Sequence, residues 1–137
     1  MGNINSHYIQ KLVIWQKAVD LACEIYQVTA NFPEEEKYGL TAQMRRAGVS
    51  IASNIAEGAG RGYNNQFAQF LSIANGSGYE LLTQLTISSK LGLIKNIEDL
   101  SMKIEEISKM NAALKEKLKT NYAQEDQAEY NVDDLNT

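Results

Sequence analysis

A chain of 137 residues with 44% hydrophobic and 22% charged residues has the balance of one globular domain, not of a disordered segment. Its net charge of −4 (13 bases against 17 acids) is uneven, because Glu125, Asp126, Glu129, Asp133 and Asp134 lie in a C-terminal stretch without Lys or Arg. Without those five acids, 12 remain against 13 bases, so the body carries +1 and no strong basic field marks a nucleic-acid binder.

The one cysteine, Cys23, excludes an intrachain disulfide and a multi-cysteine metal site, and reads as a small core residue on an apolar helix face. No signal-peptide pattern and no apolar run of membrane-spanning length occur, so a soluble cytoplasmic protein is expected. Met1-Gly2-Asn3-Ile4-Asn5-Ser6 fits the N-myristoylation pattern, which is too short to carry weight.

After an N-terminal arm (1–11), the first long helix is predicted over 12–30. Ile14, Ala18, Leu21, Ile25 and Val28 recur at steps of 4, 3, 4 and 3 and make one apolar stripe. Trp15, Val19, Ala22 and Tyr26 make a second stripe beside it and are the candidate subunit interface. Asn31-Phe32-Pro33 ends this helix, because the only proline disfavours helical geometry in the residue before it. Glu34, Glu35 and Glu36 suit a short extra turn, and Gly39 breaks the chain.

The second helix is predicted over 41–57, with Met44, Ala47, Ile51 and Ile55 as its core edge. Gly58, Gly60 and Gly62 then read as a flexible or tightly turned connection. No strand precedes them and no Lys-Ser or Lys-Thr pair follows, so they are not a phosphate loop. A third helix is predicted from an Asn64 cap to about Leu91, on the rhythm Phe67, Leu71, Ala74, Gly78, Leu81, Leu85. Gly76 and Gly78 would each cost about 1 kcal/mol relative to Ala, which close helix approach around Ala74, Ser77 and Gly78 would offset; a kink is the competing reading.

Gly92 closes the third helix, and Asn96 with Glu98 and Asp99 opens a fourth. Its seam is Ile97, Leu100, Ile104, Ile107, Asn111, Leu114 and Leu118. Asn111 interrupts the seam, either as a buried register-setting residue or rotated outward. From 120 to 137 the pattern dissolves into an acidic tail that is expected to be disordered. Four amphipathic segments joined by short connections, with no strand signal, give an all-α, antiparallel up-down-up-down four-helix bundle over 12–119.

The chemical inventory is thin. His7 is the only histidine and precedes the first long helix, so di-iron Glu-x-x-His pairs and Ser-His or Cys-His arrangements are not available. No catalytic residue, metal ligand or cofactor is therefore expected, and the chain reads as a non-enzyme. Arg45, Arg46, Asn54, Glu57 and Glu80 form a candidate structural polar network, since guanidinium forks suit carboxylates. The sharper alternative makes Arg45, Arg46, Arg61, Lys115 and Lys119 contacts to nucleic acid or a partner. Acids interleave with the lysines of the fourth helix, as on a solvated face.

Ile14-Trp15-Gln16-Lys17-Ala18, Gln43-Met44-Arg45-Arg46-Ala47, the stretch from Ser50 through Asn54-Ile55-Ala56-Glu57-Gly58, and then Arg61, Ala74-Asn75-Gly76-Ser77, Glu80-Leu81 and Leu91-Gly92 form one ordered series. Across about 12–118 this resembles the bacterial family encoded within intervening sequences of 23S rRNA genes. The resemblance implies a four-helix bundle assembled as a ring-like homopentamer without known enzymatic activity. The accessory variability determinant of diversity-generating retroelements looks like the same bundle, and its basic surface implies binding to a reverse transcriptase and nucleic acid. The near-neutral body here departs from that relative. The functional expectation is a non-enzymatic oligomeric accessory protein binding RNA or a nucleic-acid-processing partner; the alternative is a protein–protein scaffold without nucleic acid.

Overall fold

The computed structural model describes residues 6–120 and 132–136, and among these every regular element is helical. A short α1 (Ser6–Gln10) leads into α2 (Val13–Thr29), and a 3-10 turn at Glu34–Glu36 precedes α3 (Leu40–Arg61). Then come α4 (Asn64–Lys90), α5 (Glu98–Thr120) and a short α6 (Val132–Asn136). No helix among the described residues is long and apolar enough to cross a membrane.

Cross-helix neighbours fix the directions. Ala22 lies against Gly48 and Thr29 against Arg45; Arg46 meets Glu80 while Gly58 meets Phe67. Asn75 meets Asn111 while Asn64 meets Leu118, and Lys17 meets Glu106 while Glu24 meets Lys103. In each pair a rising number on one helix matches a falling number on the next. The four long helices are an antiparallel up-down-up-down bundle, with α3–α4 the most intimate contact and α2–α5 the sparsest.

The apolar rhythm explains the core. Leu21, Ile25, Ile51, Leu71, Leu85 and Leu118 are all at most 1% exposed, and burying each aliphatic side chain of this size contributes about 1.5–3 kcal/mol. On α2 the buried series ends at Thr29, with Val28 half-buried. Thr29 can take a core position because its hydroxyl donates to the Ile25 carbonyl at 2.7 Å, which satisfies it locally. Asn111 stays in the seam, fully buried, and donates through Nδ2 to Asn75 Oδ1 at 2.7 Å. Cys23 is exposed, contrary to the core position expected for it, because it falls two residues before Ile25 and so off the buried face.

Several boundaries differ from the sequence expectation. The second long helix does not stop at 57. It runs through Gly58 and Gly60 to Arg61, leaving only Gly62 and Tyr63 as the connection. The reason lies in packing: a Cβ on Gly58 would sit 2.6 Å from Phe70 Cβ and 3.0 Å from Phe67 Cδ1, so glycine is what lets α4 approach this closely. That burial outweighs glycine's helix penalty of about 1 kcal/mol. Gly62, at φ 81°, is the left-handed residue that stops the helix.

Asn64 is not a cap. It is the first residue of α4, 1% exposed, and its Nδ2 donates to the Leu118 carbonyl at 3.4 Å across the bundle. The close approach expected at Gly78 is ordinary as well, since a Cβ there would meet Ile104 Cγ2 at 3.6 Å, and one on Gly76 would meet nothing within 4 Å. Gly92 does terminate α4, at φ 76°. Its N–H bonds the Ser89 carbonyl and the Leu93 N–H bonds the Ser88 carbonyl, the paired closure of a left-handed helix end. Asn96 Oδ1 then accepts the Glu98 N–H at 2.8 Å and starts α5.

At the C-terminal end the structure departs from the expectation of a disordered tail. Residues 132–136 of the expected disordered tail form α6, with Leu135 only 8% exposed against the bundle. Leu135 and the half-buried Val132 are the apolar contacts by which this short segment packs on the core. Glu125, Asp126 and Glu129 lie outside the described residues, as do Met1–Asn5 of the myristoylation pattern; of the N-terminal arm, Ser6–Gln10 is helical.

Candidate interaction surface

Along α3, Arg46, Ser50, Asn54, Glu57 and Arg61 follow at steps of 4, 4, 3 and 4, which places them on one helix face. That face runs beside α4. Arg46 Nη2 reaches Glu80 Oε1 at 2.8 Å and Gln43 Oε1 at 3.2 Å. In the middle, the Ser50 and Ser77 hydroxyls are 2.8 Å apart, and Asn54 Nδ2 donates to the Ser50 carbonyl at 2.8 Å. At the far end Arg61 pairs with Glu57 at 2.9 Å and lies over the Phe70 ring, 5.0 Å from its centroid. The seam is thus an ion pair, a hydroxyl–amide cluster and a second ion pair, in that order.

Of the predicted polar network, the structure joins Arg46 to Glu80. Glu57 pairs with Arg61 instead, one turn along its own helix, and Asn54 stays with Ser50. Arg45 points the other way, toward α2. Its Nε donates to Thr29 Oγ1 at 2.9 Å, its Nη2 to the Tyr26 carbonyl at 3.3 Å, and its guanidinium covers the Tyr26 ring at 4.6 Å. A cation there complements the negative end of the α2 dipole. Arg61, read from the sequence as a loop residue, is the last residue of α3.

Lys119 lies 3.6 Å from Glu116, and Lys115 is half-buried on the same helix. A separate charged group bridges α2 and α5: Lys17–Glu106 at 2.6 Å, and Lys103 bound to both Glu24 and Asp99. The Lys103 ammonium is held above its usual range first by the Glu24 hydrogen bond and then by Asp99. Two of these contacts span 79 and 89 positions of sequence between different helices, so no local pattern could have announced them.

The predicted subunit interface is divided. Trp15 and Val19 are half-buried and pack on the bundle's own core, and Ala22 faces Gly48 of α3. Tyr26, at 46%, is the member that remains well exposed. Other bulky apolar side chains lie where periodicity did not point: Val49 on α3 and Ile73 and Ile87 on α4 are 42%, 52% and 43% exposed. Ile73 and Ile87 stand two helical turns either side of Glu80, and Val49 stands one turn beyond Arg46, so the three flank the ion pair.

A family model described as 23S rRNA-intervening sequence protein matches residues 10–113. The chain belongs to that family. The intervening-sequence match spans α2, α3, α4 and most of α5, including the whole α3–α4 polar seam, and leaves α6 outside. No curated protein sequence matches the chain.

Proposed function

We propose that this intervening-sequence protein is a non-catalytic, self-associating cytoplasmic scaffold that presents the outer α3–α4 face to protein surfaces. The observation that carries this reading is the charge state of that face. Its two arginines, Arg46 and Arg61, each hold a carboxylate at 2.8–2.9 Å, and Val49, Ile73 and Ile87 flank the Arg46–Glu80 pair. A polyphosphate needs uncompensated cations, because its affinity comes from counterion release by Lys and Arg. A protein partner needs apolar area with few unpaired charges at its centre. The outer seam fits the second requirement better.

The assembly proposed is the ring-like homopentamer that the family resemblance implies, closed by a heterologous contact between one copy's α3–α4 face and the next copy. Light scattering on the full chain tests it and should give a mass several times 15.3 kDa. Ile73→Glu and Ile87→Glu should lower that mass while the helical circular dichroism is kept. A monomer at micromolar concentration overturns the proposal. A salt titration against structured RNA separates the nucleic-acid reading: the scaffold predicts negligible binding, and tight binding that falls steeply with salt would replace it with the RNA-binding role.

A further inference from the structure

The first residue of α2 is capped by the other end of the chain. Leu12, at the N-cap position, supplies no side-chain hydrogen bond. Instead Asn136 Oδ1 accepts the Val13 N–H at 2.9 Å, across 123 positions of sequence, and Asn136 Nδ2 donates to the Lys11 carbonyl at 3.1 Å. A single primary amide thus satisfies one donor and one acceptor at the helix start, a pairing that neither carboxylate nor hydrocarbon reproduces. Beside it Leu135 is 8% exposed, and Lys117 Nζ donates to the Asp134 carbonyl at 2.7 Å. A hollow of about 60 Å³ lined by Ile14, Met110, Ala113 and Leu114 adjoins Leu135.

We propose that α6 is a releasable strap, and that the groove it covers between the start of α2 and the end of α5 is a docking site for a short helical segment bearing Leu-Asn. Its occupant is this chain's own Val132–Asn136. Three observations support release. The strap is a single short turn of helix with one buried side chain, set against the backbone order of five residues. The hollow shows that Leu135 does not fill the groove. The strap also closes over α2–α5, the sparsest of the four neighbouring pairs of long helices. Release would uncover Ile14, Met110 and Leu114 and leave the Val13 N–H without its cap.

Amide hydrogen exchange on the full chain reads this directly. Protection at Val13 should be measurable yet far below that at Ile25, and Leu135→Asp or Asn136→Ala should accelerate Val13 exchange at least tenfold while Ile25 is unchanged. Adding a peptide of residues 130–137 to the Leu135→Asp chain should restore Val13 protection, and should have little effect on the parent, where the tethered Val132–Asn136 already holds the Val13 N–H. Equal Val13 rates in parent and both variants would show that α6 does not dock. Protection at Val13 equal to that at Ile25 would make α6 a permanent part of the bundle. A peptide that fails on Leu135→Asp, or that acts equally on the parent, overturns the docking site. None of these outcomes depends on whether the α3–α4 face self-associates.

Discussion

Gly58 and Gly60 stand two positions apart on α3 and should respond oppositely to the same substitution. Gly60→Ala and Gly76→Ala place a methyl in open space, so each should stabilise the protein by about 0.5–1 kcal/mol through helix propensity. Gly58→Ala drives a Cβ to 2.6 Å from Phe70 Cβ, an atom that moves only if the helix moves. It should destabilise by about 1–3 kcal/mol despite the same propensity gain. Urea unfolding of the three variants checks the pattern, and three values of one sign would contradict it. Asn111 makes a related case. Its Nδ2 has a partner, but its buried Oδ1 has none among the described residues. Asn111→Ala should cost about 1–3 kcal/mol, whereas Asn111→Leu combined with Asn75→Ala should lie nearer neutral, since both halves of the polar pair are removed. Sequence spacing identified Asn111 as a seam residue. It could not identify Asn75 as its partner, because that contact depends on the register between α4 and α5.

Between α2 and α5 the packing is sparse and ion pairs bridge the gap. A cleft of about 180 Å³ opens there, lined by Lys17, Asp20, Glu24, Lys103 and Glu106 with Leu21 and Ile107 behind them. Lys103 binds its proton more tightly in the folded protein, owing to Glu24 and then Asp99. Its contribution to stability is therefore complete below the unfolded-state value near 10.5 and is lost as pH rises through the higher folded value. Unfolding of the parent and of Lys103→Met at about pH 8 and about pH 11 should show a difference that narrows at the higher pH. A constant difference would assign the loss to packing of the lysine stem instead. The exposed Arg46–Glu80 pair should be worth less: Glu80→Gln is expected to cost under about 1 kcal/mol.

At the scale of the molecule, the doubled apolar stripe of α2 separates into two roles. Trp15→Glu should lower the unfolding midpoint, because Trp15 packs on the bundle's own core. Tyr26→Glu leaves that core intact and places a carboxylate beside the Arg45 guanidinium, so the fold should persist. If the chain self-associates as proposed, a smaller mass for Tyr26→Glu in light scattering at unchanged helicity puts Tyr26 in the subunit contact, and an unchanged oligomer mass leaves that contact to the proposed α3–α4 face. Here the sequence reading was half sufficient. Two stripes announced more apolar surface than a single helix face needs. Only packing showed that α3 and the core take up most of it, while Val49, Ile73 and Ile87 stay outside.

By itself the sequence determined the four long helices, their seams and the end of α4, because apolar periodicity and a glycine in the left-handed region act over a few residues. The same local character let the ordered motifs from Ile14 to Gly92 identify the family. Tertiary structure alone decided that Gly58 stays helical, that Arg45 and Arg46 turn to different neighbours, that Asn64 reaches α5, and that Asn136 caps α2. Each of these depends on which helices adjoin and at what height, and a backbone donor or a guanidinium chooses among partners only after packing has brought them within about 3 Å.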